Sequence, residues 1–330
     1  MAATDQCRLC RRRGMTLRSS HVVPSFVFRW MRESSPGFMR DGMNADRRVQ
    51  DGPKRPWLCD ECEQRLSQWE KPFAEQLFAY VHRTSEDQKA VSYGAWAIKF
   101  AVSVSWRTLL YYQEQSDYRA PTHMNAENLA AAERAESRWR RFLLDEEEHP
   151  GPFEQHVLFV DTPAEVRGSV SPFISRYLTR SVHIDLLAAS STCVTYTKLC
   201  RVVVFGFVQM PSPGKWKGTK LHVKKGSIGG RGRAEIPEWV LNYWNEKADA
   251  MGTAFAGMSP KQKQRVSDMF RSTPLDALGA SEAFRAMRAD VALSGKRAFS
   301  ATGRPVGMSG AVDLAIQDGE DGAEPEGRTP

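Results

Sequence analysis

Two cysteine pairs near the start of the chain constrain its fold more than any other feature. Cys7 and Cys10 form one C-x2-C pair, and Cys59 and Cys62 form a second pair after a gap of 48 residues. Each pair can turn as a tight knuckle, and two such pairs make a tetrahedral four-cysteine zinc site. Two unrelated pairs of buried thiols are the alternative. Because four thiolates leave no open position for water, we expect the zinc to be structural.

The remaining composition indicates a protein of a reducing compartment. Six cysteines in 330 residues, without an apolar segment at the N-terminus, do not indicate a disulfide scaffold, and we expect a cytoplasmic location. Residues 93–112 are apolar enough to suggest a membrane span. Lys99 and Arg107 interrupt them, however, and both would be costly at the centre of a bilayer. A buried helix without membrane contact is the better interpretation.

The residues between the cysteine pairs carry a resemblance. His21 lies in the stretch SSHVVPSF, and the second pair opens the stretch CDECEQRLSQWE. A C-x2-C pair, then His-(apolar)2-Pro, a loop and a C-x2-C pair that opens a helix resemble the HNH nuclease module, or ββα-metal fold, over residues 5–75 only. The resemblance implies a treble-clef-like ββα unit whose ends zinc joins. It also implies a Mg²⁺ or Mn²⁺ ion that polarises the scissile phosphate.

The resemblance also implies roles for individual residues. The four cysteines would be the zinc ligands, and His21 would be the general base that activates water; a structural hydrogen bond is the alternative for this histidine. The central loop of the family often carries an Asn that orients the histidine. Asn44 is the nearest candidate for that role, and Asp51 is the alternative.

The positions expected to hold the catalytic cation depart from the family pattern. Many members carry Asp, Glu or His directly before the catalytic histidine, where this chain has Ser20. Many also carry a histidine just after the last cysteine or a few residues later, where Glu63 and Glu70 are the candidates. A carboxylate can bind magnesium, so both glutamates are candidate ligands. A solvated helix face is the alternative for each.

Positive charge is concentrated in two stretches of a chain whose net charge is +7. Residues 1–60 contain 12 Lys and Arg against six Asp and Glu, and residues 215–233 contain seven bases and no acid. Such clusters favour a nucleic-acid partner, DNA in the first place, although a solvated surface is the alternative. We expect Trp216 to stack on a base. The candidate contacts are Arg11, Arg12, Arg13, Arg18, Lys215, Trp216, Lys217, Lys224, Lys225, Arg231 and Arg233.

The order of helical and strand-like segments predicts an α+β protein. Residues 1–85 are the zinc-binding HNH-like module, and residues 86–150 form a helical segment. Residues 151–300 form a mixed strand and helix domain that carries a basic hairpin. Residues 301–330 lack an apolar pattern and are expected to be a flexible tail.

Three functions are compatible with these features. The first is a metal-dependent endonuclease of HNH type, a class that commonly serves prokaryotic antiphage defence or mobile elements. The second is a non-catalytic zinc module that binds nucleic acid or protein. In the third, the C-terminal domain senses a ligand or partner and the zinc module is its effector. A protein partner or a homo-oligomer is compatible with each.

Overall fold

The computed structural model describes residues 6–83, 90–120, 124–163, 170–230 and 234–295. Its fold is mixed α+β, as predicted, with the four cysteines near the N-terminus. In chain order the elements are β1 (Leu17–His21), α1 (Ser25–Glu33), β2 (Lys54–Cys59), α2 (Asp60–Pro72), α3 (Ala79–Arg83), β3 (Val91–Gly94), α4 (Ala95–Gln113), α5 (Ala126–Leu143), β4 (Gln155–Phe159), α6 (Ile174–Arg180), β5 (Val182–Ala189), β6 (Thr192–Leu199), β7 (Val202–Gln209), β8 (Lys225–Ile228), α7 (Glu238–Ala256), α8 (Pro260–Ser272), α9 (Leu275–Ala280) and α10 (Glu282–Ser294).

The described residues group into two compact units, each built from separated stretches of chain. The first unit comprises 6–29, 51–161 and 181–241, and the second comprises 30–50, 162–180 and 242–295. The chain therefore leaves the first unit between β1 and β2 and returns to it at residue 51. The consecutive division into four segments stays a prediction, and its last segment, 301–330, lies outside the described residues.

Two strands and a helix form the N-terminal part of the first unit. β1 and β2 pair antiparallel, with Leu17 opposite Cys59 and His21 opposite Lys54. The register shifts between Arg18 and Ser19, a bulge that changes the direction of the strand end. α2 follows β2 without a loop, because Cys59 itself is the N-cap residue. Both cysteines of the second pair are thereby placed at the start of one helix.

The helical backbone continues past Pro72. Pro72 is the last residue of α2, residues Phe73–Phe78 follow directly as a π-helical turn, and α3 begins at Ala79. A proline lacks the N–H that would donate to the preceding turn, and π-turns often accommodate such interruptions. The buried side chains of Phe73, Leu77 and Phe78 then remain packed in the core.

The centre of the first unit is an antiparallel sheet packed on α4. The strand order is β4-β7-β6-β5, and the interior strands β6 and β7 are buried along nearly their whole length. α4 is buried from Ala97 to Leu110 with the exception of Lys99, so the apolar stretch is a core helix, as predicted. Gly206 permits the close packing of β7, because a Cβ there would lie 2.5 Å from Ser105 Oγ. Across the described residues, no helix has both the length and the apolar character needed to cross a membrane.

A buried histidine lies on the same sheet. The His156 side chain on β4 is 1% exposed, its Nδ1 lies 2.8 Å from Thr219 Oγ1, and its Nε2 lies 3.2 Å from Glu154 Oε2. The ring stacks on Phe207 with 4.1 Å between centroids. Burial lowers the pKa of His156 to about 4, although the hydrogen bond to Glu154 opposes that shift. This histidine is therefore neutral at pH 7 and belongs to the core.

The second unit has a core of its own in α6 and the C-terminal helices. Phe270, Leu278 and Met287 form a buried apolar cluster. Asp290 is fully buried, pairs with Arg176 Nε at 2.6 Å and accepts the backbone N–H of Ser175 at 2.7 Å. The carboxylate thus ties α10 to the start of α6. Breaking such a buried pair is strongly destabilising, since the remaining charge would be left without a partner.

Candidate metal centre and catalytic site

The four cysteine sulfurs form one cluster. The Sγ atoms of Cys7, Cys10, Cys59 and Cys62 all lie within 4.8 Å of one another, and Cys10 and Cys59 are 3.9 Å apart. Zinc–sulfur bonds of about 2.3 Å in a tetrahedron require sulfurs about 3.8 Å apart. The donor set and its spacing therefore fit a zinc ion. The predicted four-cysteine metal site is confirmed to the extent that the cluster could hold such an ion.

Local backbone structure places each sulfur. The first pair lies in a knuckle in which Arg11 N–H donates to Cys7 O at 2.8 Å, and Arg11 adopts a left-handed φ of 61° to close it. The second pair brackets the first turn of α2, with Cys59 as the N-cap. Cys59 N–H also donates to Cys7 Sγ at 3.4 Å. One knuckle and one helix start thus converge on a common point.

The pKa shifts within the cluster favour a thiolate at Cys7 and disfavour one at Cys59 and Cys62. A hydrogen bond from Cys62 lowers the pKa of Cys7 to about 4, and the resulting negative sulfur contributes to a raised pKa at Cys62. Four close sulfurs can all be thiolates only if a cation compensates their repulsion, which is what a divalent metal supplies. Arg12 adds a second positive charge, because its Nε donates to Cys10 Sγ at 3.4 Å.

His21, at the end of β1, is paired with Asp51. His21 Nε2 lies 2.7 Å from Asp51 Oδ2, and Lys54 Nζ lies 2.9 Å from the same oxygen. Burial raises the pKa of Asp51, but the hydrogen bonds from His21 and Lys54 outweigh it, so the pKa is below its ordinary value. The imidazole is 23% exposed and the carboxylate 31% exposed. The pair is therefore partly open to solvent.

Arg107, a residue of α4, hydrogen-bonds to the backbone of His21. Arg107 Nη1 donates to His21 O at 3.0 Å, and Arg107 Nη2 pairs with Glu70 Oε1 at 2.9 Å. The Arg107 side chain is only 3% exposed. Glu70 is thus connected to His21 through a buried arginine, and its carboxylate is already engaged by a cation.

The other predicted residues of this site lie in different surroundings. Asn44 belongs to the second unit, where its side-chain oxygen accepts the backbone N–H of Asp46 at 3.1 Å. Ser20 is 2% exposed, and its hydroxyl donates to Arg18 O at 3.3 Å. Glu63 has a buried Oε1 without a hydrogen-bond partner in the described part of the chain. Among the described residues, the cysteines are the group of three or more potential ligands that lies close enough for a metal ion.

The arginines beside the knuckle form ion pairs. Arg11 pairs with Glu136 at 3.2 Å, Arg12 pairs with Glu61, and Arg18 pairs with Asp60 at 2.8 Å. These pairs are largely exposed on the arginine side, so a phosphate could replace the carboxylate at modest cost. Arg13 is exposed and forms no ion pair within the described residues.

Trp216 differs from its expected placement. Its side chain is 5% exposed and packs edge to face on Phe205 at 4.7 Å between centroids. A base could stack on this indole only if the indole left the core, because the rings of His156, Phe207 and Trp239 also pack against it. The apolar environment that favours burial of a tryptophan outweighs the charge of its lysine neighbours.

The basic residues around Trp216 are mostly on the surface. Lys217 pairs with Glu235 at 2.7 Å. Lys215, Lys224 and Lys225 are exposed and form no ion pair with any described residue. Lys225 is the first residue of β8, which pairs antiparallel with β3, and it lies opposite Gly94. Arg231 and Arg233 lie outside the described residues.

Comparison of the sequence with protein-family models, with the curated proteins and with the solved structures finds no match.

Arg107 and Asp51 contribute more to this site than the sequence patterns indicate. Arg107 interrupts an apolar stretch, and a charged residue inside a core helix requires a buried partner. Asp51 was the alternative to Asn44, and it is the residue that contacts the His21 ring. A carboxylate three residues before the start of β2 is the signal that could have favoured it.

Proposed function

We propose that this protein is a metal-dependent endonuclease of HNH type that acts on nucleic acid, with DNA as the first substrate to test. The observation that carries the proposal is the pair of His21 and Asp51, joined at 2.7 Å at the end of β1 in a ββα arrangement beside four clustered cysteines. A partly exposed histidine held by a carboxylate has the geometry of an oriented general base.

That contact determines which ring nitrogen can accept a proton. When Nε2–H donates to Asp51, the lone pair of the ring is at Nδ1, so this nitrogen can accept a proton from water. The hydroxide attacks phosphorus, the bond from phosphorus to one bridging oxygen breaks, and the leaving oxygen takes up a proton from solvent, to which His21 then releases the proton it accepted. Asp51 stabilises the imidazolium that forms, and Arg107 fixes the position of the histidine backbone.

A divalent cation would supply charge stabilisation at the scissile phosphate. Magnesium is usually held by one or two carboxylates together with substrate phosphates and water. Glu63 suits such a role, because its buried Oε1 lacks a hydrogen-bond partner among the described residues. Glu70 is less suited, because Arg107 already engages it. The exposed lysines 224 and 225 would hold the phosphate backbone.

The test is incubation of supercoiled plasmid and of single-stranded DNA or RNA with Mg²⁺ or Mn²⁺. We expect cleavage by the zinc-loaded protein and its loss in the His21→Ala variant. Cleavage that is unchanged in that variant would remove His21 from the mechanism. No cleavage of any of these substrates by folded, zinc-loaded protein would contradict the proposal.

One observation favours a second candidate, a non-catalytic zinc module that binds nucleic acid. Lys54 already lies 2.9 Å from the carboxylate of Asp51, and Ser20 is turned to a backbone carbonyl. This side of His21 therefore lacks the acidic ligand that many HNH enzymes place before the histidine. Salt-sensitive DNA binding without cleavage would support this candidate.

A further inference from the structure

Residues 38–49 of the second unit form a short hairpin that carries an exposed aromatic ring. Val49 N–H donates to Met39 O at 3.0 Å, which closes the two arms of the hairpin. Phe38, at the start of the first arm, is 65% exposed, whereas Met39 beside it is buried. The Arg48 guanidinium lies over one face of the Phe38 ring, 4.0 Å from its centroid. Because that face is covered, most of the exposed area belongs to the opposite face and the ring edge.

Side-chain contacts anchor this hairpin to α8. Asp46 Oδ1 accepts the backbone N–H of Ser259, the N-cap of α8, at 2.8 Å. Arg40 Nη2 donates to Gln262 Oε1 at 3.3 Å, and Arg40 Nη1 donates to Ala45 O at 2.6 Å. The exposed ring is thus carried by an anchored backbone, which reduces the entropy that is lost when a ligand binds there.

Positive charge collects on the same surface. Burial lowers the pKa of Arg40, and the charges of Arg48 and Arg265 lower it further, against the opposing effect of Asp46. Arg265 lies on α8, one turn after Gln262. Arg48 and Arg265 are both exposed, and neither forms an ion pair within the residues that the structure describes. Two guanidiniums are therefore available to an anionic partner.

We propose that this surface binds single-stranded nucleic acid, with an unpaired base stacked on the open face of Phe38 and neighbouring phosphates held by Arg48 and Arg265. Stacking on an aromatic ring suits every base, because every base has a π-face, and basic side chains beside the ring follow the phosphate backbone. An apolar surface of a protein partner would leave the two guanidiniums without anions. Bases inside an intact duplex stack on one another and cannot take this position.

This inference rests on the proposed action on nucleic acid, and it adds that the substrate contains an unpaired segment. It does not depend on the chemistry of His21. The ring belongs to the second unit, and the histidine belongs to the first. Binding at the surface and cleavage can therefore be measured separately.

The test is fluorescence anisotropy with a short labelled single strand and with the matching blunt duplex, in the His21→Ala background so that both stay intact. We expect Phe38→Ala to weaken binding of the strand roughly tenfold and binding of the duplex less than about twofold. Phe38→Trp should keep the affinity for the strand, because the ring is retained. Leu275→Ala removes an exposed apolar side chain of α9 and should leave both affinities unchanged.

The salt dependence of strand binding tests the two arginines. Arg48→Gln and Arg265→Gln should each reduce the slope of log K against log salt by about 0.7, the contribution of one phosphate contact on a single strand. Arg134→Gln, at an exposed position of α5 in the first unit, should leave the slope unchanged. Slopes that are unchanged in both hairpin-surface variants would contradict the assigned phosphate contacts.

Several outcomes would overturn this proposal. They are equal losses of strand and duplex binding in Phe38→Ala, no loss in that variant, and no binding of either nucleic acid. A dimer that becomes a monomer in Phe38→Ala, measured by sedimentation, would instead assign the ring to a contact between copies of the chain. Strand binding that depends on Phe38 in a protein without cleavage would contradict the nuclease alone. Cleavage that depends on His21, together with binding that is indifferent to Phe38, would contradict this surface alone.

Discussion

His21 Nε2 and Asp51 Oδ2 are 2.7 Å apart, although 30 residues of chain separate them. This contact restrains the ring orientation, and Nδ1 is the nitrogen that the proposed mechanism uses as the base. We expect Asp51→Asn to lower the single-turnover cleavage rate by about 10²- to 10⁴-fold, the range that general-base catalysis supplies. Asp276→Asn, an exposed aspartate of α9, should cleave at the wild-type rate. A rate for Asp51→Asn within twofold of wild type would show that the contact is structural.

The pair of Arg107 and Glu70 should contribute to stability as well as to the position of His21. Glu70→Gln leaves the buried guanidinium without its carboxylate, and we expect a loss of roughly 2–4 kcal/mol in the free energy of unfolding. Urea denaturation measures this difference. Arg65→Gln breaks the more exposed pair with Asp145, which should cost less than about 1 kcal/mol. Equal losses in the two variants would contradict the buried role of Arg107.

The cysteine cluster should bind one zinc ion per chain. We expect mass spectrometry to find one zinc in the wild type and none in Cys62→Ser, because three sulfurs cannot complete the tetrahedron. Loss of the metal should lower the melting temperature by roughly 10 °C, which corresponds to several kcal/mol in a chain of this length. Cys193→Ala removes a buried thiol outside the cluster and should keep its zinc. A metal-free wild type that melts normally would argue against a structural ion.

Stability should fall in mild acid through His156. Its pKa is lowered from 6.5 to about 4 by burial, so the unfolded chain binds this proton at a higher pH than the folded chain does. The contribution is complete above pH 6.5 and is lost progressively between pH 6.5 and 4, amounting to about 3 kcal/mol. Denaturation at several pH values should show a shallower dependence in His156→Gln than in the wild type. His222→Gln, at an exposed position, should keep the wild-type dependence.

The two exposed lysines at the start of β8 should contact phosphate. If so, Lys224→Gln combined with Lys225→Gln should reduce the dependence of log K on log salt by about 2, since each phosphate contact contributes about 0.9. Fluorescence anisotropy with labelled duplex at several salt concentrations measures this slope. Lys217→Gln should change it less, because Glu235 already pairs with that lysine. An unchanged slope in the double variant would place the DNA contacts elsewhere.

Local patterns in the sequence were sufficient for several elements. The spacing of the cysteine pairs predicted the cluster, and the interrupted apolar stretch predicted a core helix, which is α4. The stretches rich in β-branched residues between residues 155 and 209 form β4, β5, β6 and β7. These features depend on periodicity and composition, which are properties of short segments.

Contacts between distant segments were not accessible in the same way. Trp216 lies among basic residues along the chain, yet aromatic rings of β7 enclose it in space. The partner of the Arg107 guanidinium lies 37 residues away on another helix. The burial of a side chain and the identity of its partner depend on tertiary packing, which local helix and strand propensities do not encode.

The hydrogen bond from Arg107 to the carbonyl of His21 also imposes an order in time. It spans 86 residues, so a ribosome adding about 5–20 residues per second exposes the histidine roughly 4–17 s before the arginine. The second cysteine pair emerges within that interval, which allows the metal cluster to close first. This order lets the cysteine cluster bind a metal ion before the position of the His21 backbone is fixed.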